Sequence, residues 1–126
     1  METTRRRILV VDDDPEITRM LQLMLEYQGY EVKRVHGTAQ GMTILGSEVP
    51  DLVLLDFMMP HLNGIELCTY LRRDPRTAHV PVVMYSAAAN EENMQAALNA
   101  GATRFVHKTA DSDQLLQVVK EVLASP

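Results

Sequence analysis

Three carboxylates, a hydroxyl and an ammonium group each follow a short apolar run, and this pattern could support phosphoryl or metal chemistry. Asp12 and Asp13 come directly after the first run, and Asp56 ends the third. Ser86 ends the fourth run, and Lys108 follows the fifth. Carboxylate oxygens are ligands that Mg²⁺ prefers, and a carboxylate can also attack phosphorus to form an aspartyl phosphate. The chemistry depends on whether the fold brings these five residues together.

The apolar runs alternate with segments of helical periodicity, which predicts an open parallel α/β sheet. Three of the runs are almost continuously apolar, as is typical of strands that are covered on both faces. The carboxyl ends of parallel strands meet at one edge of the sheet, where ligands bind in this architecture. The predicted strands are Arg7–Val11, Glu31–Val35, Asp51–Asp56, Pro81–Ser86 and Arg104–His107.

The predicted helices have recognisable starts. Asp14 before Pro15 places a capping side chain ahead of a proline at the first helical position. A weaker helix is predicted over about Thr38–Leu45. In the first helix, Met20 falls at the spacing of the core-facing residues, which predicts that it packs in the core. The starts of the last three helices are predicted at Asn63, Asn90 and Asp111.

The composition is that of a soluble globular domain. The chain has 126 residues, of which 46% are hydrophobic and 23% charged, and no apolar run could span a membrane. A single cysteine, Cys68, excludes an internal disulfide and lies on an apolar helix stripe, so we expect it in the core of a protein from a reducing compartment. The net charge of −5 argues against nucleic-acid binding by this domain. We therefore expect one cytoplasmic domain without membrane contact.

The clustered carboxylates would repel one another, since two charges about 4 Å apart interact by about 4 kcal/mol at an effective dielectric near 20. A hard divalent cation, Mg²⁺, would compensate this repulsion. Asp56 is the better candidate nucleophile because it stands alone, whereas Asp12 and Asp13 resemble a metal clamp. Lys108 would neutralise an anionic group beside the metal. The set predicts phosphoryl transfer to Asp56.

Several segments resemble the receiver domains of bacterial two-component response regulators. These are ILVVDDDP, PDLVLLDFMMPHLNGIEL, PVVMYSA and GATRFVHKTA, and the likeness extends from Arg7 to about Leu123. The resemblance implies a flavodoxin-like, doubly wound sheet of five parallel strands in the order 2-1-3-4-5. We expect a single receiver domain over residues 1–126, with a core of about 7–123 and no output domain.

The resemblance also implies a metal site. Asp56 would accept a phosphoryl group from the phosphohistidine of a sensor histidine kinase or a phosphotransfer protein. Asp13 would ligate the metal directly, and the residue two after Asp56 would offer its backbone carbonyl. The ion, Mg²⁺ or Mn²⁺, would be held by Asp12, Asp13, Asp56 and the carbonyl of Met58.

The same resemblance implies how the domain would switch. Ser86 and Lys108 would bind the phosphoryl group, and movement of Ser86 would open space for the switch aromatic, Phe105. The surface made by the fourth helix, fifth strand and fifth helix would then be remodelled for a downstream protein or output domain, or for a homodimer. The protein would assist its own phosphorylation and dephosphorylation but would not be an enzyme for a separate substrate.

Two positions depart from the family pattern. Thr109 follows Lys108 where the family has a proline, whose peptide bond is commonly cis. A cis bond without proline costs about 3–4 kcal/mol, so the local position of Lys108 is open at this point. Phe105 lacks the hydroxyl of the tyrosine common in the family.

Two other functions fit parts of the pattern. A phosphohydrolase of the haloacid-dehalogenase type also uses an aspartate at a strand end, Mg²⁺ and a lysine. Its first motif requires a Thr or Val where this chain has Glu16, and the chain is short for that fold. A docking module that acts without phosphorylation is the other alternative, favoured only by Thr109.

Overall fold

Strands and helices alternate along the chain as the sequence predicts. The computed structural model describes residues 5–59, 62–87, 90–107 and 112–124. The strands are β1 Arg7–Val11, β2 Glu31–Val35, β3 Leu52–Asp56, β4 Val82–Ser86 and β5 Arg104–His107. The helices are α1 Pro15–Tyr27, α2 Thr38–Ser47, α3 Gly64–Arg73, α4 Glu91–Asn99 and α5 Ser112–Ala124. A two-residue antiparallel ladder also pairs Met58–Met59 with Leu62–Asn63.

The five strands form one parallel sheet in the order β2-β1-β3-β4-β5, which confirms the predicted doubly wound topology. The central strand β3 is buried along its whole length, in agreement with its continuous apolar sequence. Its register places Asp56 beside Tyr85 of β4, and Ser86 lies beside His107 of β5. The carboxyl ends of β3, β4 and β5 therefore lie at one edge of the sheet.

Helices cover both faces of the sheet, and each face has its own core. On one face, Leu9 and Val11 pack in a cluster with Leu67 and Leu71 of α3. Cys68 belongs to this cluster, where burial raises the pKa of its thiol, so its predicted core position is confirmed. On the other face, a second cluster includes Leu21 and Leu25 of α1 and Val119 of α5. No helix within the described ranges is long and apolar enough to cross a bilayer.

Most of the predicted helix starts are confirmed. The Asp14 carboxylate accepts hydrogen bonds from the backbone N–H groups of Glu16 and Ile17, and Pro15 begins α1. The Asn90 side chain accepts from Asn93 N–H at the start of α4. The third helix begins at Gly64, directly after the predicted Asn63. The predicted cap Asp111 lies outside the described residues.

The prediction for Met20 was wrong, because 51% of its surface is exposed. The buried stripe of α1 consists instead of Thr18, Leu21 and Leu25. Thr18 tolerates complete burial because its hydroxyl donates to the carbonyl of Pro15, three residues earlier, and lies 3.2 Å from Nε2 of His36. Local bonding of a threonine hydroxyl to the preceding turn is common in helices.

Arg72 at the end of α3 connects this helix to the segments before β4 and β5. Its guanidinium donates to the backbone carbonyls of Gly101, Ala78 and Val80, at 3.0, 3.1 and 2.6 Å. Gly101 has a φ of +108°, a conformation that glycine adopts without strain, and Arg72 packs directly against it. The guanidinium therefore holds the starts of two neighbouring strands in place.

Replacing Arg72 with methionine should lower the free energy of unfolding by about 2 kcal/mol, because hydrogen bonds to backbone carbonyls are lost while the apolar stem is kept. The neighbouring Arg73 is exposed, and Arg73→Met should change stability by less than about 0.5 kcal/mol. Urea unfolding of both variants measures the difference. Equal losses in the two variants would contradict this role for Arg72.

Candidate functional site

The predicted acidic residues meet at the carboxyl edge of the sheet. Asp12 follows β1 and is completely buried, and Asp56 ends β3 with 2% of its surface exposed. Asp13, beside Asp12, is half-buried. Ser86 ends β4 and is also buried. Lys108 lies outside the described residues, so its predicted role stays a prediction.

Asp12 is held by hydrogen bonds to both oxygens of its carboxylate. The backbone N–H of Asp14 donates to Oδ1 at 3.0 Å, and the hydroxyl of Tyr85 donates to Oδ2 at 2.6 Å. The backbone N–H of Asp12 donates to the carbonyl of Val35 at the end of β2. A buried carboxylate requires such partners, because an unpaired charge in the interior is costly.

Tyr85 was not among the predicted site residues. Its side chain belongs to the second core cluster, so the aromatic body is packed among apolar groups while the hydroxyl reaches Asp12. Burial raises the pKa of the Tyr85 hydroxyl well above its usual value, and the negative charges of Asp12, Asp56 and Asp14 raise this pKa further. The hydroxyl therefore stays protonated and acts as a donor.

The register of β1 with β3 pairs Val11 with Leu55, so Asp12 and Asp56 follow each other across neighbouring strands at the carboxyl edge of the sheet. This placement of hard oxygen donors suits Mg²⁺. Across the described residues, no three His, Cys, Asp or Glu side chains lie close enough to bind a single ion. Mg²⁺ does not need three such ligands, since it usually keeps several waters and is bound through one or two carboxylates. The donor set therefore fits the predicted cation.

The predicted switch aromatic contacts the neighbour of Asp56. The Phe105 ring on β5 is half-buried and packs edge-to-face against Phe57, with ring centroids 5.8 Å apart and an interplanar angle of 73°. Such pairs contribute about 0.5–1.5 kcal/mol beyond the area they bury. The backbone N–H of Phe57 donates to the carbonyl of Tyr85 at 2.8 Å. Phe57, the chain neighbour of Asp56, therefore contacts both β4 and the Phe105 ring.

Gly64 packs its α-carbon against the backbone that carries Asp56. A Cβ atom at this position would lie 2.7 Å from the carbonyl oxygen of Asp56 and 3.0 Å from that of Phe57. The Gly64 N–H also donates to the Phe57 carbonyl at 3.3 Å. A side chain here would clash with backbone atoms, which cannot rotate away. Glycine is therefore required for the close approach of α3 to the end of β3.

A family model described as "Response regulator receiver domain" matches residues 8–120. The DNA-binding response regulator MtrA of Mycolicibacterium smegmatis is 38% identical over 120 residues, which cover 95% of this chain and 51% of that protein. The chain thus spans about half the length of the curated relatives it matches.

Solved structures of receiver domains superimpose closely on this chain. The CheY-like response regulator receiver domain protein of Methanospirillum hungatei is 32% identical and superimposes with a TM-score of 0.88, covering 95% of this chain and 94% of that one. The BeF3-activated N-terminal receiver domain of RstA from Klebsiella pneumoniae is 28% identical, with a TM-score of 0.87, covering 95% of this chain and all of that one.

Replacing Gly64 with alanine should force the backbone of Asp56 to move and lower the free energy of unfolding by about 1–3 kcal/mol. Gly46 in α2 is a matched control, since a Cβ atom there meets nothing within 4 Å. Gly46→Ala should be neutral or stabilising by about 0.5–1 kcal/mol. Urea unfolding gives the energies, and amide NMR shifts of Asp56 and Phe57 report the displacement. An unshifted Asp56 amide in Gly64→Ala would refute this explanation.

Proposed function

Since the chain belongs to the response regulator receiver domain family, we propose that it is a phosphorylation-activated switch that accepts a phosphoryl group on Asp56. The observation that carries this proposal is that two buried carboxylates, Asp12 and Asp56, lie at the carboxyl ends of the neighbouring strands β1 and β3. A carboxylate at the end of β3, with the buried Asp12 and Ser86 at the ends of the strands on either side, suits nucleophilic attack on phosphorus.

In the proposed reaction, an oxygen of Asp56 forms a bond to the phosphorus of a phosphohistidine. The P–N bond of the donor breaks, and its electron pair goes to the leaving imidazole. The donor would be a sensor histidine kinase or a phosphotransfer protein. Ser86 is buried at the end of β4 and directly follows Tyr85, the register partner of Asp56, and its hydroxyl would donate to a phosphoryl oxygen. Lys108 would neutralise charge on the same group.

The residues proposed to hold the cation are Asp12, Asp13, Asp56 and the backbone carbonyl of Met58. Mg²⁺, or Mn²⁺ in its place, would supply positive charge to the phosphoryl oxygens. Asp13 is half-buried, so its carboxylate would have access to a hydrated ion. The fully buried Asp12 is held by its two hydrogen bonds and would act on the ion through retained water.

We propose that the signal leaves the site through Phe105. When Ser86 moves toward the phosphoryl group, the space beside β4 changes and Phe105 can leave its contact with Phe57. This shifts a two-state population and remodels the α4-β5-α5 surface. Met94 and Leu98 of α4 are 40% and 42% exposed and lie one helical turn apart, so they offer apolar area to a partner.

The downstream partner would be an output domain or a separate protein, and a homodimer through the α4-β5-α5 surface is an additional proposal. MtrA is described as DNA-binding, but we do not assign DNA contact to this domain, because its net charge is −5. We place its action in the cytoplasm, where phosphohistidine donors of this class work. Apart from its own phosphorylation and dephosphorylation, the domain would act as a signalling protein without a separate substrate.

Incubation with Mg²⁺ and acetyl phosphate should add the mass of one phosphoryl group, as measured by intact-protein mass spectrometry. The adduct should disappear when Mg²⁺ is chelated and in Asp56→Asn. Asp113 is exposed on α5, so Asp113→Asn should be labelled like the unmodified protein.

The competing functions predict other results in the same experiment. A folded protein that gains no phosphoryl group would favour the phosphorylation-independent docking module. Rapid release of phosphate from unrelated phosphomonoesters would favour the haloacid-dehalogenase type of hydrolase. Equal labelling of Asp56→Asn would refute the assignment of the acceptor.

A further inference from the structure

Tyr85 is a buried side chain whose hydroxyl contacts the acidic pair, although no family motif predicted a role for it. Only 3% of its surface is exposed. It lies on β4, separated from β1 by the intervening strand β3, and its hydroxyl reaches Oδ2 of Asp12 at 2.6 Å. An O–H···O⁻ contact of this length is characteristic of a strong, charge-assisted hydrogen bond.

We propose that Tyr85 is a positioning residue for cation binding, and that its hydroxyl fixes the orientation of the Asp12 carboxylate. This inference rests on the proposed function, since it concerns the cation that would assist phosphorylation of Asp56. Partners that hydrogen-bond to metal-binding carboxylates commonly change metal affinity by about 10- to 100-fold when they are removed. Tyr85 would act through Asp12 without contacting the ion.

The geometry around Asp12 supports this assignment. Asp14 N–H holds Oδ1 at 3.0 Å and Tyr85 holds Oδ2 at 2.6 Å, so donors from two different parts of the chain fix the carboxylate plane. The Asp14 bond connects residues only two apart and belongs to the local turn before α1. The Tyr85 bond instead connects Asp12 with β4, on the opposite side of β3.

The position of Tyr85 in β4 also places this residue next to the groups proposed to take part in switching. Tyr85 lies in register with Asp56 and directly precedes Ser86, the residue proposed to bind the phosphoryl group. Its carbonyl also accepts the Phe57 N–H at 2.8 Å. Because any such coupling is reciprocal, a cation that orders Asp12 would also favour one position of the end of β4.

Tyr85→Phe removes the hydroxyl and keeps the packed ring, so it tests the hydrogen bond alone. Isothermal titration calorimetry with Mg²⁺ should show binding that is about 10-fold weaker than in the unmodified protein. Tyr70 on α3 is half-buried, and Tyr70→Phe is the matched control, with an unchanged dissociation constant. A dissociation constant in Tyr85→Phe within twofold of the unmodified protein would overturn the inference.

A double-mutant cycle distinguishes action through Asp12 from a general loosening of the fold. In an Asp12→Asn background, Tyr85→Phe should not weaken Mg²⁺ binding further. An equal loss in both backgrounds would overturn the proposed route. If the unmodified protein binds no Mg²⁺, the cation part of the proposed function fails. If the unmodified protein and the Tyr85→Phe variant bind Mg²⁺ with the same dissociation constant, the inference about Tyr85 fails while the proposed cation site remains.

A measurement on the unmodified protein covers the case in which Tyr85→Phe does not fold. With ¹³Cζ-labelled tyrosine, the Tyr85 resonance is assigned by eliminating the other three tyrosines through Tyr→Phe substitutions. Saturation with Mg²⁺ should shift the Tyr85 resonance and leave that of Tyr70 in place. A Tyr85 resonance that does not respond to saturating Mg²⁺ would overturn the inference.

Discussion

The burial of carboxylates at the ends of two neighbouring strands is the constraint on which the site depends. Asp12 and Asp56 are both almost completely removed from water. Like charges buried on neighbouring strands repel each other, so this pair requires donors or a cation. Asp14 N–H and the Tyr85 hydroxyl supply donors to Asp12. A cation and an incoming phosphoryl group would find an arrangement that is already ordered.

Sequence periodicity was sufficient for the strands and helices because each strand and cap is a local pattern, whereas the order of the strands in the sheet came from the family resemblance. The continuous apolar sequence of β3 predicted a strand that is buried on both faces, and the Asp14–Pro15 pair predicted the start of α1. The prediction that Asp12 and Asp56 lie at one edge of the sheet followed from the parallel topology, because the carboxyl ends of parallel strands meet at the same edge. By contrast, Met20 shares the apolar spacing of α1 but lies on its exposed side, since the buried stripe of this helix is formed by Thr18, Leu21 and Leu25.

The parts of the site that escaped prediction depend on contacts between distant segments. Tyr85 and Asp12 are 73 residues apart, and only the register of β3 with β4 reveals that a tyrosine at this position reaches the acidic pair. The requirement for Gly64 likewise follows from a distance of 2.7 Å to the carbonyl oxygen of Asp56. The signal that could have identified Tyr85 is the presence of a tyrosine in a buried strand whose other residues are mostly aliphatic.

We propose that the carboxyl ends of β1, β3 and β4 together form one cation-dependent phosphoryl-accepting site. Amide NMR mapping during addition of Mg²⁺ and then beryllofluoride, a phosphoryl mimic, tests it most directly. We predict shifts concentrated at Asp13, Asp56 and Ser86 with Mg²⁺, spreading to Phe105 with beryllofluoride, and no beryllofluoride response in Asp56→Asn. Shifts centred elsewhere, or an unchanged response in Asp56→Asn, would contradict the account.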